Sequence, residues 1–114
     1  MDDGNSNSGL DRPVEPALLV EPQAGAVVSR TVLKQPTGSV TLFAFAAGEG
    51  LSEHTTPHEA LIHGLEGEAE ITIGATLHVV SAGKAVRLPA DVPHAVRAIT
   101  SFKMMLVMLR RSES

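Results

Sequence analysis

The chain has 114 residues, a formal net charge of −4, a hydrophobic fraction of 43% and no cysteine. This length and composition fit one globular domain with its own core, and the lack of cysteine excludes disulfides, thiolate metal sites and a cysteine nucleophile. The acidic balance and the absence of Trp and Tyr disfavour nucleic-acid binding. No apolar run approaches the roughly 18 residues of a membrane span, so we expect no membrane partner either.

The first 11 residues are acidic and rich in Asn, Ser and Gly. This composition predicts a flexible N-terminal tail over residues 1–11, followed by one domain over residues 12–114. The segment has neither the basic region nor the apolar stretch of a secretory signal. We therefore expect a cytoplasmic protein.

Short apolar runs follow the tail, and Gly, Pro and polar residues interrupt them at close spacing. This pattern is typical of an all-β sandwich or barrel. The predicted strands are residues 17–20, 26–33, 39–46, 61–65, 68–73, 76–80, 85–88, 94–99 and 102–109. No segment sustains a helical period, so we expect no helix longer than about two turns.

Alternation and glycine positions refine the prediction in the middle of the chain. Apolar and polar residues alternate over residues 68–73, which predicts a sheet with one wet face. Gly74 follows directly and indicates a tight hairpin to the next strand. Gly67 and Gly83 are predicted to supply positive φ at turns that separate antiparallel strands.

Two histidine-containing segments, residues 48–67 and 83–98, have a distinctive spacing of Gly, Pro and His. In the first, His54 follows Gly48 after five residues, and Gly67 follows His54 after twelve more. In the second, Gly83 and a proline precede His94. These spacings resemble the two motifs of the cupin superfamily, and the chain is most similar to its small, stand-alone bacterial members with the RmlC-like jelly roll.

The resemblance implies an all-β jelly-roll barrel with both motifs at one barrel mouth, so that His54 and His94 share a pocket. In metal-bearing cupins, two His and one Glu of the first motif and one His of the second hold Fe, Mn, Ni or Zn. Here Thr56 stands at the second His position and Ala60 at the Glu position. The first motif is therefore degenerate, and only His54 and His94 match ligand positions.

The remaining candidate ligand is His58, which lies four residues after His54 in a loop. Two imidazoles leave a divalent ion too many positions for water, so we expect weak binding at best. His58 either completes a three-histidine site with His54 and His94 or is a plain loop histidine. A protein without any metal is equally consistent with these residues. Glu59 is one residue from the Glu position, and the strand period points it away from the interior.

Small side chains on the strand that follows the first motif indicate a cavity. Ala60, Ile62 and Gly64 share the parity of the missing Glu. Methionines of the last strand either fill this space or line a real cavity for a small apolar ligand. Phe43 and Phe45 share one strand face and either line the cavity or pack between the sheets. We place eight residues in the predicted pocket: Phe43, Phe45, His54, Thr56, Ala60, Ile62, His94 and Met108.

Three functional hypotheses follow from these residues, and they leave open whether the protein is an enzyme. The first is a cupin that binds a small organic molecule in the pocket, with or without a weakly held divalent metal. The alternative is a metal-dependent oxygenase or isomerase with His54, His58 and His94 as ligands. The third is a metal-free acid/base enzyme that uses His54 or His94.

We also expect a homodimer. Residues 17–20 and 26–33 are apolar N-terminal runs that either pair with a second copy or cover an edge of their own barrel. His63 has the opposite parity to Ala60 and Ile62, so it is expected to face outward, where a dimer contact would form.

Overall fold

The computed structural model describes residues 9–111 of the chain. Within this range there are one 3-10 helix, Pro16–Leu19, and nine strands. The strands are β1 (Val27–Gln35), β2 (Gly38–Phe45), β3 (Gly50–His54), β4 (Glu59–Glu66), β5 (Glu68–Ile73), β6 (Thr76–Ser81), β7 (Ala85–Leu88), β8 (His94–Ala98) and β9 (Phe102–Leu109). The predicted tail lies mostly outside the described range, which also ends three residues before the predicted end of the domain. No helix in residues 9–111 is long and apolar enough to cross a bilayer.

The nine strands form two antiparallel sheets. One sheet has the order β1-β2-β9-β4-β7, and the other has the order β3-β8-β5-β6. The chain passes from the first sheet to the second and back several times, as in a jelly roll. The all-β class and the absence of long helices in the described part of the chain are therefore confirmed.

The core lies between the two sheets. Side chains alternate between the two faces of each strand, and those on the inward face form the core. On β5, Ala69 and Ile71 are fully buried, whereas the neighbouring Glu68 is exposed, as the alternation predicts. Two aromatic rings anchor the core, and the centroids of Phe45 and Phe102 are 5.8 Å apart. Burial of each such side chain contributes about 1.5–3 kcal/mol.

The prediction of a strand over residues 17–20 is wrong. This segment contains most of the 3-10 helix, which begins at Pro16 and in which the Leu18 N–H donates to the Glu15 carbonyl. Its carbonyls are taken by side chains of the five-stranded sheet instead of a partner strand. The buried Lys103 ammonium donates to the Ala17 carbonyl at 2.7 Å. The segment is therefore held on the sheet by side-chain hydrogen bonds and does not pair with a neighbouring strand.

Residues 17–20 cover part of the outer surface of the five-stranded sheet. Val20 is buried there together with Val32, Leu42 and Ala44, and they form a second apolar cluster. Residues 17–20 therefore pack on a face of their own barrel, whereas the sequence-based alternative is cover of one of its edges.

The turns at two of the predicted glycines join strands of different sheets. Gly74 has φ 60 and makes the predicted β5–β6 hairpin. Gly67 and Gly83 also have positive φ, at 76 and 85. However, β4 and β5 lie in different sheets, as do β6 and β7. These two turns therefore carry the chain from one antiparallel sheet to the other, with the positive φ that the sequence predicts.

Candidate functional site

A cavity of about 120 Å³ lies at one end of the sandwich. Three of its lining residues are polar: His54, Thr56 and His94. The other eight are Leu51, Ala60, Ile62, Leu88, Val96, Met104, Leu106 and Met108. The cavity wall formed by these residues is therefore mostly apolar, and its polar side chains lie on a loop and at strand ends.

The two histidines meet because the strands that carry them pair. His54 is the last residue of β3, His94 is the first residue of β8, and the two are direct partners in the antiparallel ladder. Their Nε2 atoms are 3.0 Å apart, and the ring planes are inclined by 72°. Residues forty positions apart in the chain are thus brought together, as the motif resemblance implies.

Both rings are held through their other nitrogen. The Nδ1 atom of His54 is 2.9 Å from the Ser52 carbonyl oxygen, and that of His94 is 3.3 Å from the Val92 carbonyl oxygen. A carbonyl oxygen only accepts hydrogen bonds, so Nδ1 carries the hydrogen in each ring. The 3.0 Å contact between the two Nε2 atoms then requires one further hydrogen between them, which one of the rings donates to the other.

The pKa of His94 is held below its usual value. Burial is the main cause, the charge of His54 acts in the same direction, and the hydrogen bond to Val92 opposes both. Burial disfavours the charged imidazolium because it removes water from around the ring. His94 is therefore predominantly neutral at neutral pH.

Thr56 does not present a free hydroxyl to the cavity. Its Oγ1 atom accepts from the His58 N–H at 3.2 Å and donates to the His58 carbonyl at 3.3 Å. The Thr56 carbonyl in turn accepts from the Asp91 N–H at 2.7 Å. Asp91 has φ 65, a left-handed conformation that Asp adopts more readily than most side chains. These bonds join the loops that flank the two histidines.

His58 is engaged away from the histidine pair. Its Nδ1 atom accepts from the backbone N–H of Arg111 at 3.0 Å. Glu59 also points elsewhere, since its carboxylate accepts from the Ala90 N–H at 2.8 Å and lies 3.5 Å from Arg87. Over residues 9–111, no group of three or more His, Asp or Glu side chains is placed to hold a metal ion.

The structure differs from the predicted pocket at its two phenylalanines. Phe43 and Phe45 stack with each other at 5.9 Å within the core and are not among the residues that line the cavity. Their partners on β9 are Met104 and Phe102, and the cavity wall on that side is formed by Met104, Leu106 and Met108 of β9. His54, Thr56, Ala60, Ile62, His94 and Met108 do line the cavity.

Five lining residues were not predicted from the sequence. Leu51 lies on β3, a polar and exposed strand that gives no apolar alternation. Met104 and Leu106 share the parity of Met108 along β9, so the strand period identifies them once Met108 is placed inside. Leu88 lies on β7 and Val96 lies on β8. The same alternation would identify them only if one inward-facing residue of each strand were already known.

Comparison with known proteins identifies relatives of this fold. The model of the family described as cupin domain matches residues 41–110. A cupin superfamily protein from Desulfitobacterium hafniense is 30% identical, with a TM-score of 0.84 over 89% of this chain and 93% of that one. A conserved protein of unknown function from Streptococcus pyogenes is 28% identical, with a TM-score of 0.85 and 90% of each chain covered.

A further structure, the cupin 2 conserved barrel domain protein from Leptotrichia buccalis, is 35% identical with a TM-score of 0.79 over 82% of this chain and 46% of that one. No curated protein matches the chain. The family match spans more than half of the sequence and includes most of β2, all of β3 to β9 and both histidine segments. The chain therefore belongs to the cupin family.

Proposed function

We propose that the cavity binds a small organic molecule with an aliphatic body, whose polar end lies against His54 and His94. The observation that carries this proposal is the combination of eight apolar lining residues with two ring nitrogens in one cavity. Pockets of this kind, mostly apolar with a few convergent polar groups, are typical small-molecule sites. The cavity volume of about 120 Å³ is near the roughly 150 Å³ that holds one benzene molecule in an engineered protein core.

The size of the cavity limits the affinity of such a ligand. A molecule that fills it has on the order of six or seven non-hydrogen atoms, and very small ligands gain no more than about 1.5 kcal/mol per atom. At this ceiling six or seven atoms give about 9–10 kcal/mol, so the dissociation constant is expected to be no lower than tens to hundreds of nanomolar. Binding assays that extend to millimolar ligand concentrations cover the range above this limit.

The cavity is expected to be blocked by Ala60→Leu. Ala60 lies on β4 directly between Leu88 on β7 and Met108 on β9, so the larger side chain would fill the space that the ligand needs. Methyl NMR with 13C-labelled methionine should show shifts of Met104 and Met108 on addition of cyclohexanol in the natural protein. The same shifts should be lost in the variant.

The matched control is Ala85→Leu, which adds the same side chain at an exposed position of β7 and should leave the shifts unchanged. The proposal is wrong if a series of cyclic and linear compounds with five to eight non-hydrogen atoms leaves both methionine signals unmoved. It is equally wrong if Ala60→Leu binds as well as the natural protein.

The donor set around the cavity fits a metal ion only in part. His54 and His94 donate their Nδ1 hydrogens to backbone carbonyls, as metal-ligating histidines usually do. However, Thr56 is bonded within its own loop, and Ala60 offers no donor atom. We propose that a divalent ion is held only weakly here, and that His58 joins only by giving up its bond to Arg111.

We further propose that the protein forms a homodimer through the outer face of the five-stranded sheet. Leu33, Val40, Val107 and Leu61 oppose one another in sequence across β1, β2, β9 and β4, so they form one apolar row on this face. Leu33 is 57% exposed and Leu61 is 42% exposed. The N-terminal segment covers the adjoining part of the same face, where Val40 packs against its apolar cluster, and we expect a second copy to cover the exposed leucines.

Light scattering at micromolar concentrations should give a dimer mass, and Leu33→Lys with Leu61→Lys should give a monomer. Each lysine would place a charge in an apolar contact, where desolvation opposes association. The matched control is Leu77→Lys with Val79→Lys on the exposed surface of β6, which should leave the dimer intact. A monomer mass for the natural protein contradicts this proposal.

A further inference from the structure

Met108 lies beside the position at which the family motif would place a carboxylate. Ala60 stands at the Glu position of the first motif, and it is the direct partner of Met108 in the ladder between β4 and β9. Side chains of direct partners project from the same face of a sheet, with Cβ atoms about 4.5–5.5 Å apart. Both residues line the cavity. The flexible Met108 side chain can therefore occupy the space that the small Ala60 side chain leaves.

The same cavity contains two imidazole rings with the geometry of ligands to one ion. The Nδ1 atom of each ring contacts a backbone carbonyl oxygen, the type of outer contact that orients metal-ligating histidines. The Nε2 atoms of His54 and His94 are 3.0 Å apart. Two nitrogen atoms at about 2.0–2.1 Å from a shared ion are about 2.9–3.4 Å apart when the angle at the ion is roughly 90–110°. An ion would thus replace the hydrogen that now joins the two rings.

We propose that His54, His94 and Met108 form a site for Cu(I), in which the thioether sulfur takes the place of the missing carboxylate. Thioether sulfur is a soft, uncharged donor that favours Cu(I), and imidazole nitrogen also suits copper. Three such donors satisfy Cu(I), which accepts low coordination numbers. This inference goes beyond the organic ligand of the proposed function and does not depend on it.

The surroundings of the three donors favour a monovalent ion over a divalent one. None of the lining residues in the described part of the chain carries a carboxylate, and the Thr56 hydroxyl is bonded within its own loop. The Born cost of taking an ion out of water rises with the square of its charge, so it is about four times larger for a divalent ion of the same size. A divalent ion would also keep water ligands beside an apolar wall that offers them no partner.

The burial of the three donors gives an ion a path into the site. His54 is exposed, Met108 is half-buried, and His94 is 7% exposed. The outer imidazole can therefore receive an ion from solvent, and the other two donors lie further from water. An apolar shell limits solvent access to a bound metal and influences its redox potential. Here the shell favours the lower charge of Cu(I) over that of Cu(II).

The test is an anaerobic titration of the metal-free protein with Cu(I), in competition with a chromogenic Cu(I) chelator. Met108→Leu keeps the side-chain volume nearly constant and should raise the dissociation constant for Cu(I) at least about tenfold. His54→Ala, at an exposed position, should raise it at least as much. The matched control is Met104→Leu, which makes the same change in the same cavity opposite Gly64 and should keep the affinity within about twofold of the natural value.

Two further readouts separate ligation by sulfur from a structural effect of the substitution. Cu(I) is diamagnetic, so 13C-labelled methionine methyl signals stay visible, and the signal of Met108 should shift whereas that of Met105 on the outer face should not. The natural protein should bind Cu(I) at least about tenfold more tightly than Zn²⁺, because the thioether favours the softer ion. Met108→Leu should leave the weak affinity for Zn²⁺ unchanged.

Three results would overturn the assignment of Met108. These are equal Cu(I) affinity of the natural protein and Met108→Leu, a Met108 methyl signal that does not move with Cu(I), and an equal loss of Cu(I) and Zn²⁺ affinity in the variant. The last of these would show that the shape of the cavity matters and the sulfur does not. None of them bears on the proposed function, which is tested with organic ligands in the metal-free protein.

Discussion

The double substitution Thr56→His and Ala60→Glu is expected to raise the affinity for Zn²⁺ and Ni²⁺ by a hundredfold or more, on the order of what individual supporting ligands contribute. Both positions line the cavity that contains His54 and His94. The new imidazole and carboxylate would therefore complete the ligand set that the family motif specifies. The carboxylate also supplies negative charge, which neutral imidazoles cannot.

Calorimetric titration measures this effect, and thermal unfolding provides an independent readout. The metal-free double variant should unfold at a lower temperature than the natural protein, because its new carboxylate is buried without a partner. Excess Zn²⁺ should reverse the loss, since an ion that binds the folded state stabilises it by mass action. The matched control is Thr55→His with Ala85→Glu, which introduces the same groups at exposed positions outside the cavity lining and should gain little affinity.

The natural protein is expected to bind a divalent ion only weakly, and a single variant can test this expectation. If His58 is recruited, His58→Ala alone should remove the remaining affinity, because two imidazoles hold a divalent ion poorly. A natural protein that keeps a stoichiometric, chelator-resistant metal after His58→Ala would contradict the account of an incomplete ligand set. The metal-dependent enzyme would then be the better hypothesis.

Gly67→Ala is expected to destabilise the fold by at least about 3 kcal/mol. Gly67 has φ 76, in the region that side chains adopt at a cost, and this conformation alone costs about 1–2 kcal/mol. A Cβ atom built there also collides with the Ser101 carbonyl oxygen. That oxygen belongs to the backbone, which cannot move aside without displacing the turn before β9.

Urea denaturation of three variants isolates the collision from the conformational cost. Gly48 and Gly83 have φ 85, and no atom lies within 4 Å of a Cβ atom placed on either. Gly48→Ala and Gly83→Ala should therefore lose only about 1–2 kcal/mol, with an unchanged dependence on urea concentration. A Gly67→Ala variant as stable as these two would show that the turn can relax, and the expectation would be wrong.

Local sequence patterns predict most of the strands and the meeting of the two histidines. The alternation over residues 68–73 places Ala69 and Ile71 inside, because side chains of a strand alternate between its faces whatever the rest of the fold does. Gly74 marks the hairpin for a similarly local reason, since a tight turn requires positive φ. The convergence of His54 and His94 comes from the spacing of two motifs that resemble those of a known family.

The sequence alone could not predict strand β3 or the position of the two phenylalanines along the sandwich. Both became clear only from the tertiary structure. Residues 50–54 are mostly polar and exposed, and they form a strand because β8 offers its edge. Phe43 and Phe45 have the inward parity that the sequence indicates. Parity selects a face of the sheet and does not select a position along the sandwich, so it cannot distinguish the packed core from the open end.

The sequence by itself determined the all-β class, the strand faces and the pair of histidines, because each of these depends on local periodicity or on a short motif. Only the tertiary structure decided where distant groups meet. Lys103 reaches the Ala17 carbonyl across 86 positions, which makes residues 17–20 a covering segment instead of a strand. The Arg111 N–H occupies Nδ1 of His58 across 53 positions, and such long-range hydrogen bonds leave no trace in the local pattern of residues.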